Sequence, residues 1–186
     1  SGVLVPRLGF SDDLGAVFGL PYYYTFSPQN DMTLEPIYMS EEGEMLLGEY
    51  RHRFYFGEVT LAGSIGYLDE REVGRETGDK VAKGHIDSEG IFHLTDRWRA
   101  GFDVERVSDR TYLKRYRLDS RDVLTSRVYA ERFAPMAYTS VASYSFQGLR
   151  SFDVDEQMPL VAPYAQHRMR TAPDPNGSYF TLDATA

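Results

Sequence analysis

The sequence alternates between apolar and polar side chains with a period of two, and this alternation constrains its fold most strongly. In the run from 44 to 56, Leu46, Tyr50 and Phe54 fall on one face, because successive side chains of a β-strand point to opposite sides. Similar runs of roughly ten residues recur along the chain, separated by polar or glycine-containing breaks. The pattern predicts an all-β fold, an antiparallel β-meander of about ten strands.

The division into two faces continues in the second half of the chain. In the run 98–105, apolar residues alternate with charged ones such as Arg99 and Asp103, and in the run 138–146, aromatic residues alternate with serine and threonine. Two folds satisfy such a pattern. In a soluble β-sandwich the apolar faces pack against each other, whereas in an outer-membrane barrel the apolar face meets lipid and the polar face lines a lumen. Periodicity alone leaves both folds open.

The breaks between the strand-like runs differ in length, and short breaks tend to alternate with long ones. The short breaks are 41–43, 56–57 and 135–136, and the long, charged and irregular ones are 69–83, 108–122 and 147–159. Outer-membrane barrels have short turns on the periplasmic side and longer loops outside. Their tilted strands of about 9–11 residues also match the runs in length. These connection lengths are typical of a barrel.

The composition disfavours several classes of function. The net charge of −8 argues against a nucleic-acid partner, which normally binds a basic face or stripe. The chain has no cysteine, so neither a disulfide nor a thiolate metal site is expected. No glycine-rich phosphate loop, zinc-ligand spacing or nucleophile elbow occurs in the sequence. We therefore expect no catalytic residue, no metal site, no cofactor and no enzymatic activity.

Two strand-like runs near the N-terminus each carry a proline, Pro21 and Pro36, which are 36 − 21 = 15 residues apart. Proline has no N–H to donate to a β-ladder, so it is expected only at sheet edges, strand starts or bulges. The turn-like sequence 27–30 joins the two runs, which predicts a hairpin with weakened pairing. The simpler interpretation is an edge strand in which proline protects against aggregation.

Several motifs follow one another in this part of the chain. In order they are Leu20-Pro21-Tyr22-Tyr23-Tyr24, the turn Ser27-Pro28-Gln29-Asn30-Asp31, the strand Thr33-Leu34-Glu35-Pro36, the glycine turn Glu42-Gly43 and the strand Glu49-Tyr50-Arg51. Further along, the stretch 103–112 reads DVERVSDRTY. Their types and order resemble the lipopolysaccharide-assembly outer-membrane protein family LptD, also called the organic solvent tolerance protein family. The sequence departs from the family at Tyr24, where many members have Trp, and at Ser27, where many have Ala.

The resemblance implies a very large outer-membrane barrel that closes between its first and last strands, preceded by a periplasmic jellyroll. Residues 1–13 would be the lead-in from the jellyroll, and residues 14–186 would be the first strands of the C-terminal barrel. The implied function is transport and assembly of lipopolysaccharide in the cell outer membrane. The implied partners are lipopolysaccharide, outer-membrane lipid, the plug lipoprotein LptE and the periplasmic bridge protein LptA, with no nucleic acid.

The resemblance also implies roles for particular residues. Pro21 and Pro36 match the prolines that weaken the first-to-last seam of the family's barrel, which opens sideways as a lateral gate. Consecutive aromatic residues point to both faces of a strand, so we expect an interfacial aromatic girdle that includes Tyr22, Tyr23 and Tyr24. The polar residues expected to face the lumen are Glu49, Arg51, Arg53, Arg99, Asp103 and Glu105. The alternatives are a water-soluble ligand-binding β-sandwich and a fragment of a general diffusion porin.

Overall fold

The computed structural model describes residues 1–72, 75–150 and 160–186. In these residues thirteen strands form one antiparallel sheet, which confirms the expected all-β meander. The strands are β1 (Gly2–Val3), β2 (Arg7–Ser11), β3 (Gly15–Gly19), β4 (Tyr22–Ser27), β5 (Asn30–Met39), β6 (Gly43–Phe54), β7 (Gly57–Glu72), β8 (Arg75–His93), β9 (Trp98–Val107), β10 (Val123–Ala134), β11 (Ala137–Gly148), β12 (Leu160–Arg170) and β13 (Thr181–Thr185). A single helical turn, α1 (Tyr112–Arg115), lies between β9 and β10. In the described ranges, no helix has the length and hydropathy needed to cross a membrane.

From β5 to β13 each strand pairs with the next one along the chain. Before β5 the order is less simple, because β3 and β4 are two parts of one strand and both pair with β5. On the other side of this strand, β1 pairs with β4 and β2 pairs with β3. The sheet has more strands than the expected number of about ten, because residues 1–13 form two short strands and the following strand is divided at Leu20 and Pro21.

The ladder pairs place the side chains of β5 to β9 on two chemically distinct faces. We call one of them the apolar face; it carries Met32, Leu34, Pro36, Tyr38, Leu46, Tyr50, Phe54, Val59, Leu61, Ile65, Tyr67, Ile86, Phe92, Ala100, Phe102 and Val104. We call the other the polar face; it carries Asp31, Thr33, Glu35, Glu49, Arg51, Arg53, Glu58, Thr60, Asp87, Glu89, Arg99, Asp103 and Glu105. The alternation of the sequence is therefore expressed as two sides of one sheet, although Glu44 and Arg106 also lie on the apolar face.

The apolar face is exposed rather than packed. Ile65 is 61% exposed and Val128 on β10 is 60% exposed, although both are β-branched hydrocarbons. Burying such a side chain typically stabilises a protein in water by about 1.5–3 kcal/mol. A soluble sandwich would cover these residues with a second sheet, but the strands of the described ranges all belong to one sheet. The structure thus disfavours the β-sandwich.

The buried core lies on the polar face, near the turn between β5 and β6. The connection between β9 and β10, residues 108–122, folds back over the sheet here, and we call it the β9–β10 segment. It contributes Tyr112, Leu113 and Tyr116, which are 1%, 3% and 6% exposed. The remaining buried members of the cluster are Leu14, Ile37, Met39, Met45, Leu68, Val107, Leu124 and Leu149.

Two expectations from the sequence differ from the structure. The described parts of the stretch, 69–72 and 75–83, do not form an irregular loop. There β7 and β8 stay paired through Asp69–Lys80 to Arg71–Glu76 and Glu72–Arg75, with a shift in register between Asp69 and Arg71. Backbone ladder bonds form regardless of side-chain polarity, so a charged stretch can remain paired as two strands. Of the third long break, residues 151–159 lie outside the described residues.

The aromatic residues of β11 also lie on an unexpected side. The run 138–146 alternates as predicted, but Tyr144 is the ladder partner of Arg127, which in turn faces Asp103. Tyr138 and Phe146 share this orientation, so the aromatic set belongs to the polar face. The Arg127 guanidinium stacks on the Tyr129 ring, 3.9 Å from its centroid. An arginine guanidinium is attracted to the face of an aromatic ring, so aromatic side chains can be stabilised on a charged surface.

Candidate functional site at the first hairpin

The first hairpin consists of the divided strand 15–27, that is β3 and β4, and its partner β5. Pro36 lies within β5, directly opposite Leu20. The Leu20 amide donates to the Pro36 carbonyl at 3.1 Å. In an antiparallel ladder, two residues paired in this way exchange two hydrogen bonds. Pro36 has no N–H, so it cannot return the second bond to the Leu20 carbonyl.

The backbone of Pro21 points away from β5, toward the strand that pairs with the opposite edge of the divided strand. Its carbonyl accepts a hydrogen bond from the Leu4 amide at 2.8 Å, and proline again cannot return a bond to Leu4. The sequence predicted one weakened hairpin. The structure instead places the two missing donors in two ladders. Pro36 weakens the pairing between the divided strand and β5, and Pro21 weakens the pairing between the divided strand and residues 2–4.

The alignment of the hairpin continues through this break. Gly19 pairs with Ile37 before it, and Tyr22 pairs with Leu34 after it. The sums 19 + 37 and 22 + 34 are both 56, so no residue is skipped or added. The two prolines therefore remove ladder bonds without shifting the register.

The outer edge of β4 has few partners in the described part of the chain. Tyr22 and Tyr23 pair with β1, which is only two residues long. The Thr25 amide donates to the hydroxyl of Ser1 at 3.1 Å rather than to a backbone carbonyl. Such an edge can accept a further strand.

Tyr22, Tyr23 and Tyr24 are divided between the two faces, as their consecutive positions require. Tyr22 and Tyr24 lie on the apolar face and are 46% and 42% exposed, whereas Tyr23 lies on the polar face beside Thr33. Tyr24 begins a row of ring side chains in which each ring centroid is 4.1–6.5 Å from the next. This first aromatic row consists of Tyr24, Phe26, Tyr50, His52, Phe54, Phe92 and Phe102.

A second aromatic row crosses the opposite end of the apolar face. Phe18 pairs with Tyr38, and both Tyr38 and Tyr67 are ladder partners of Glu44. On β7, Tyr67 is 67 − 57 = 10 residues from Gly57, which faces Phe54 of the first row. Ten residues span about 33 Å of strand at about 3.3 Å per residue, which is about 25 Å of height at a tilt of about 40°.

The six predicted polar residues all lie on the polar face, three on β6 and three on β9. Most of them have partners there. The Arg51 Nε atom donates to Asp31 at 2.9 Å, and the Arg99 Nε atom donates to Glu131 at 2.9 Å. Glu105 accepts from the Thr125 amide at 2.9 Å and is paired with the Arg121 guanidinium. The polar face is thus a network of compensated charges.

Sequence reasoning missed a second set of residues near the hairpin. Glu42 lies in the turn between β5 and β6, and its side chain is 0% exposed. Its carboxylate pairs with the Arg115 guanidinium and accepts from the Tyr116 hydroxyl at 2.8 Å. Burial and the nearby carboxylate raise the pKa of Tyr116, so this phenol stays a hydrogen-bond donor. No sequence pattern distinguishes buried Glu42 from its neighbour Glu41.

An apolar groove of about 680 Å³ lies on the apolar face beside the proline break. Leu20 and Pro36 form part of its wall, together with Phe18 and Tyr38 of the second aromatic row and Leu46 and Ile65 of the neighbouring strands. The groove is open to the surroundings of the sheet. It is therefore suited to contact a hydrocarbon chain rather than a charged ligand.

Comparison with known proteins agrees with this architecture. Residues 83–186 match the family model LptD, described as LPS transport system D. The chain is 27% identical over 184 residues to the LPS-assembly protein LptD of Haemophilus influenzae, covering 98% of this chain and 22% of that protein. It is 32% identical over 140 residues to that of Pseudomonas aeruginosa, covering 74% and 15%, and 31% identical over 170 residues to that of an Azoarcus species, covering 88% and 20%.

The chain thus spans about a fifth of the length of the curated relatives that it matches. The family model covers more than half of the chain, and the relatives extend the similarity over the first hairpin as well. The chain belongs to the LptD family.

Proposed function

We propose that this chain forms the beginning of the wall of an outer-membrane β-barrel that transports and assembles lipopolysaccharide. The observation that carries the proposal is the uncovered apolar face between two aromatic rows. Outer-membrane barrels have an apolar band about 25 Å tall with aromatic residues at both borders, and the separation derived above is about 25 Å. On β7 the residues of this band are Val59, Leu61, Gly63 and Ile65, none of which is charged.

The polar face would then line the lumen of the barrel. Arg51 and Arg99 stand on it with their acidic partners, so it offers both hydrogen-bond donors and acceptors to a phosphorylated saccharide. The proposed substrate is amphipathic, which suits a wall with one polar and one apolar side. In this proposal the chain contributes to transport and assembly and performs no catalysis.

The lateral gate is proposed at the first hairpin. Opening a closed barrel exposes backbone groups that find no water in the hydrocarbon layer, so parting an intact seam is costly. Pro21 and Pro36 each remove a donor next to Leu20, which lowers that cost. The groove beside the break would receive the acyl chains as the lipid leaves sideways.

The remaining parts of the proposal concern the rest of the protein. Residues 1–13 would connect a periplasmic jellyroll to the barrel, and residues 14–186 would be its first strands, located in the outer membrane. The barrel would work with lipopolysaccharide, outer-membrane lipid, a plug lipoprotein LptE and a bridge protein LptA. A β-sandwich is disfavoured by the uncovered apolar face, and membership of the LptD family does not favour a general diffusion porin.

Replacing both prolines with alanine in the full-length protein tests the gate. Pro21→Ala and Pro36→Ala together restore two ladder donors, each contributing about 0.5–1.5 kcal/mol. If opening limits export, release of lipopolysaccharide to the cell surface should slow by roughly 5- to 160-fold, the equivalent of about 1–3 kcal/mol. Pro135→Ala, in the turn between β10 and β11, is the matched control. Export at the normal rate in the double variant would contradict the gate.

A further inference from the structure

The two ends of the first hairpin are held in different ways. We call β3 with residues 37–39 the inner half, and β4 with residues 30–34 the outer half. In the inner half, Ile37 and Met39 are 6% and 2% exposed and belong to the same core cluster as Tyr112 and Leu113 of the β9–β10 segment. Core packing of this kind resists displacement, because every removed contact exposes apolar surface.

The outer half has no comparable support among the described residues. On the polar face, Asp31 pairs with Arg51, whose side chain is 52% exposed. Next to this half, Glu35 pairs with Arg7, whose side chain is 46% exposed. Ion pairs that remain in contact with water contribute little, typically about 0–1 kcal/mol. The outer half therefore depends mainly on its backbone ladders and on the exposed rings of Tyr24 and Phe26, which continue to Tyr50 of β6.

Glu42 ties the inner half to the β9–β10 segment. It lies in the turn directly before β6, and its buried carboxylate is bound by Arg115 of α1 and by Tyr116 immediately after α1. A buried ion pair strongly resists the removal of one partner, because the other charge is left unpaired in a low dielectric. The turn between β5 and β6 is consequently fixed to a segment that reaches across the polar face from β9 and β10.

The proline break separates the two halves. Leu20 and Pro21 lie between β3 and β4, and Pro36 lies opposite Leu20, so the missing ladder bonds fall at the boundary between the supported and the unsupported half. Movement of the outer half would bend the strand where the fewest bonds oppose it.

We propose that the β9–β10 segment is a clamp on the inner half of the hairpin, and that Glu42 is the positioning residue that confines gate opening to the outer half. The proline break is then a hinge rather than only a weak seam. This inference rests on the proposed function, since it assigns the moving and the fixed part of the proposed gate.

Amide hydrogen exchange of the full-length protein in lipid nanodiscs tests the clamp without relying on lipid export. In the unmodified protein, amides of residues 22–35 should exchange roughly tenfold or more faster than those of residues 37–45. Glu42→Gln keeps the shape of the side chain but removes its charge. It should raise exchange in residues 37–45 by roughly tenfold to a hundredfold, because the Arg115 charge loses its partner.

Three further variants separate positioning from general destabilisation. Glu41→Gln, the exposed neighbour in the same turn, is the matched control and should leave exchange unchanged. Tyr116→Phe removes a single hydrogen bond and should give a smaller increase, which also covers the case that Glu42→Gln does not fold. Combining Glu42→Gln with Arg115→Gln removes the unpaired charge but not the loss of the tie, so exchange in the inner half should fall between that of Glu42→Gln and that of the unmodified protein.

Equal exchange in the two halves of the unmodified protein would overturn the clamp. The same conclusion would follow if Tyr116→Phe and Glu42→Gln both left the inner half unchanged. Neither result depends on whether the proline variants alter lipopolysaccharide release, so the clamp and the gate can fail separately.

Discussion

Substituting arginine for Leu61, which lies between the two aromatic rows on β7 and opposite Tyr50 of the first row, tests whether the apolar face meets lipid. Leu61 lies on β7, 67 − 61 = 6 residues from Tyr67 of the second aromatic row and 61 − 57 = 4 residues from Gly57 at the first, and it is 47% exposed. An arginine at the midplane of a barrel wall costs about 2–4 kcal/mol, so Leu61→Arg should reduce the folding equilibrium constant by roughly 30- to 900-fold.

The assay is folding of the full-length protein into phospholipid vesicles over a series of urea concentrations. Thr60→Arg is the matched control, because Thr60 is the adjacent residue on the polar face, between Arg51 and Glu89. A graded response is also expected, since the cost of arginine falls to about 0–1 kcal/mol near the membrane interface. Tyr67→Arg should therefore be milder than Leu61→Arg.

Equal stabilities of the Leu61→Arg and Thr60→Arg proteins would refute the assignment of the two faces. An arginine at position 61 that is tolerated in vesicles would mean that this side chain reaches water. In that case the two aromatic rows would be packing features, and the height of the band between them would have no relation to a bilayer.

Two further predictions concern the sheet and the β9–β10 segment. Gly63→Ala should destabilise the barrel by about 1–3 kcal/mol in the same urea assay, because the added Cβ would lie 2.4 Å from the His85 carbonyl oxygen. Gly48→Ala is the control and should be close to neutral, because its Cβ would lie 3.4 Å from Cδ2 of Leu34. Burial alone would raise the pKa of Asp109. Hydrogen bonds from Thr111 and the charge of Lys83 lower the pKa by more than burial raises it, so the net pKa lies below the usual range. The resulting stabilisation is present above the unfolded pKa of about 3.9 and is lost as pH falls through the folded pKa. Proteolysis within the segment should therefore accelerate on acidification below about pH 4, and Asp109→Asn should weaken this pH dependence; an unchanged pH profile in that variant would contradict the assignment.

The sequence was sufficient to predict those features that depend on local alternation. The run 44–56 and the run 98–105 each assign their own residues to two faces, so the polar positions of Arg51 and Asp103 followed without a structure. Alternation within one strand does not determine which of its two sets of side chains shares a face of the sheet with the polar set of the neighbouring strand. For Tyr144 the answer comes from its neighbour Arg127 on β10, and that register is not visible in the sequence.

Features that depend on long-range contacts were beyond sequence reasoning. Tyr112 and Tyr116 lie in a charged connection without periodicity, and only the folding of that connection onto the sheet buries them. Glu42 becomes a buried partner of Arg115 from 73 positions away in the chain. The directions of the two missing proline donors also depend on pairing partners, because a strand presents successive amides to opposite neighbours.

The unbroken register on both sides of Leu20 has a consequence for the proposed gate. A slip by a single position would turn every subsequent side chain to the opposite face of the sheet, placing carboxylates on the apolar face. Gly19 and Tyr22 keep their respective partners in the same frame although bonds between them are lost. In the proposed gate, such a hairpin would come apart locally and close again in the same register.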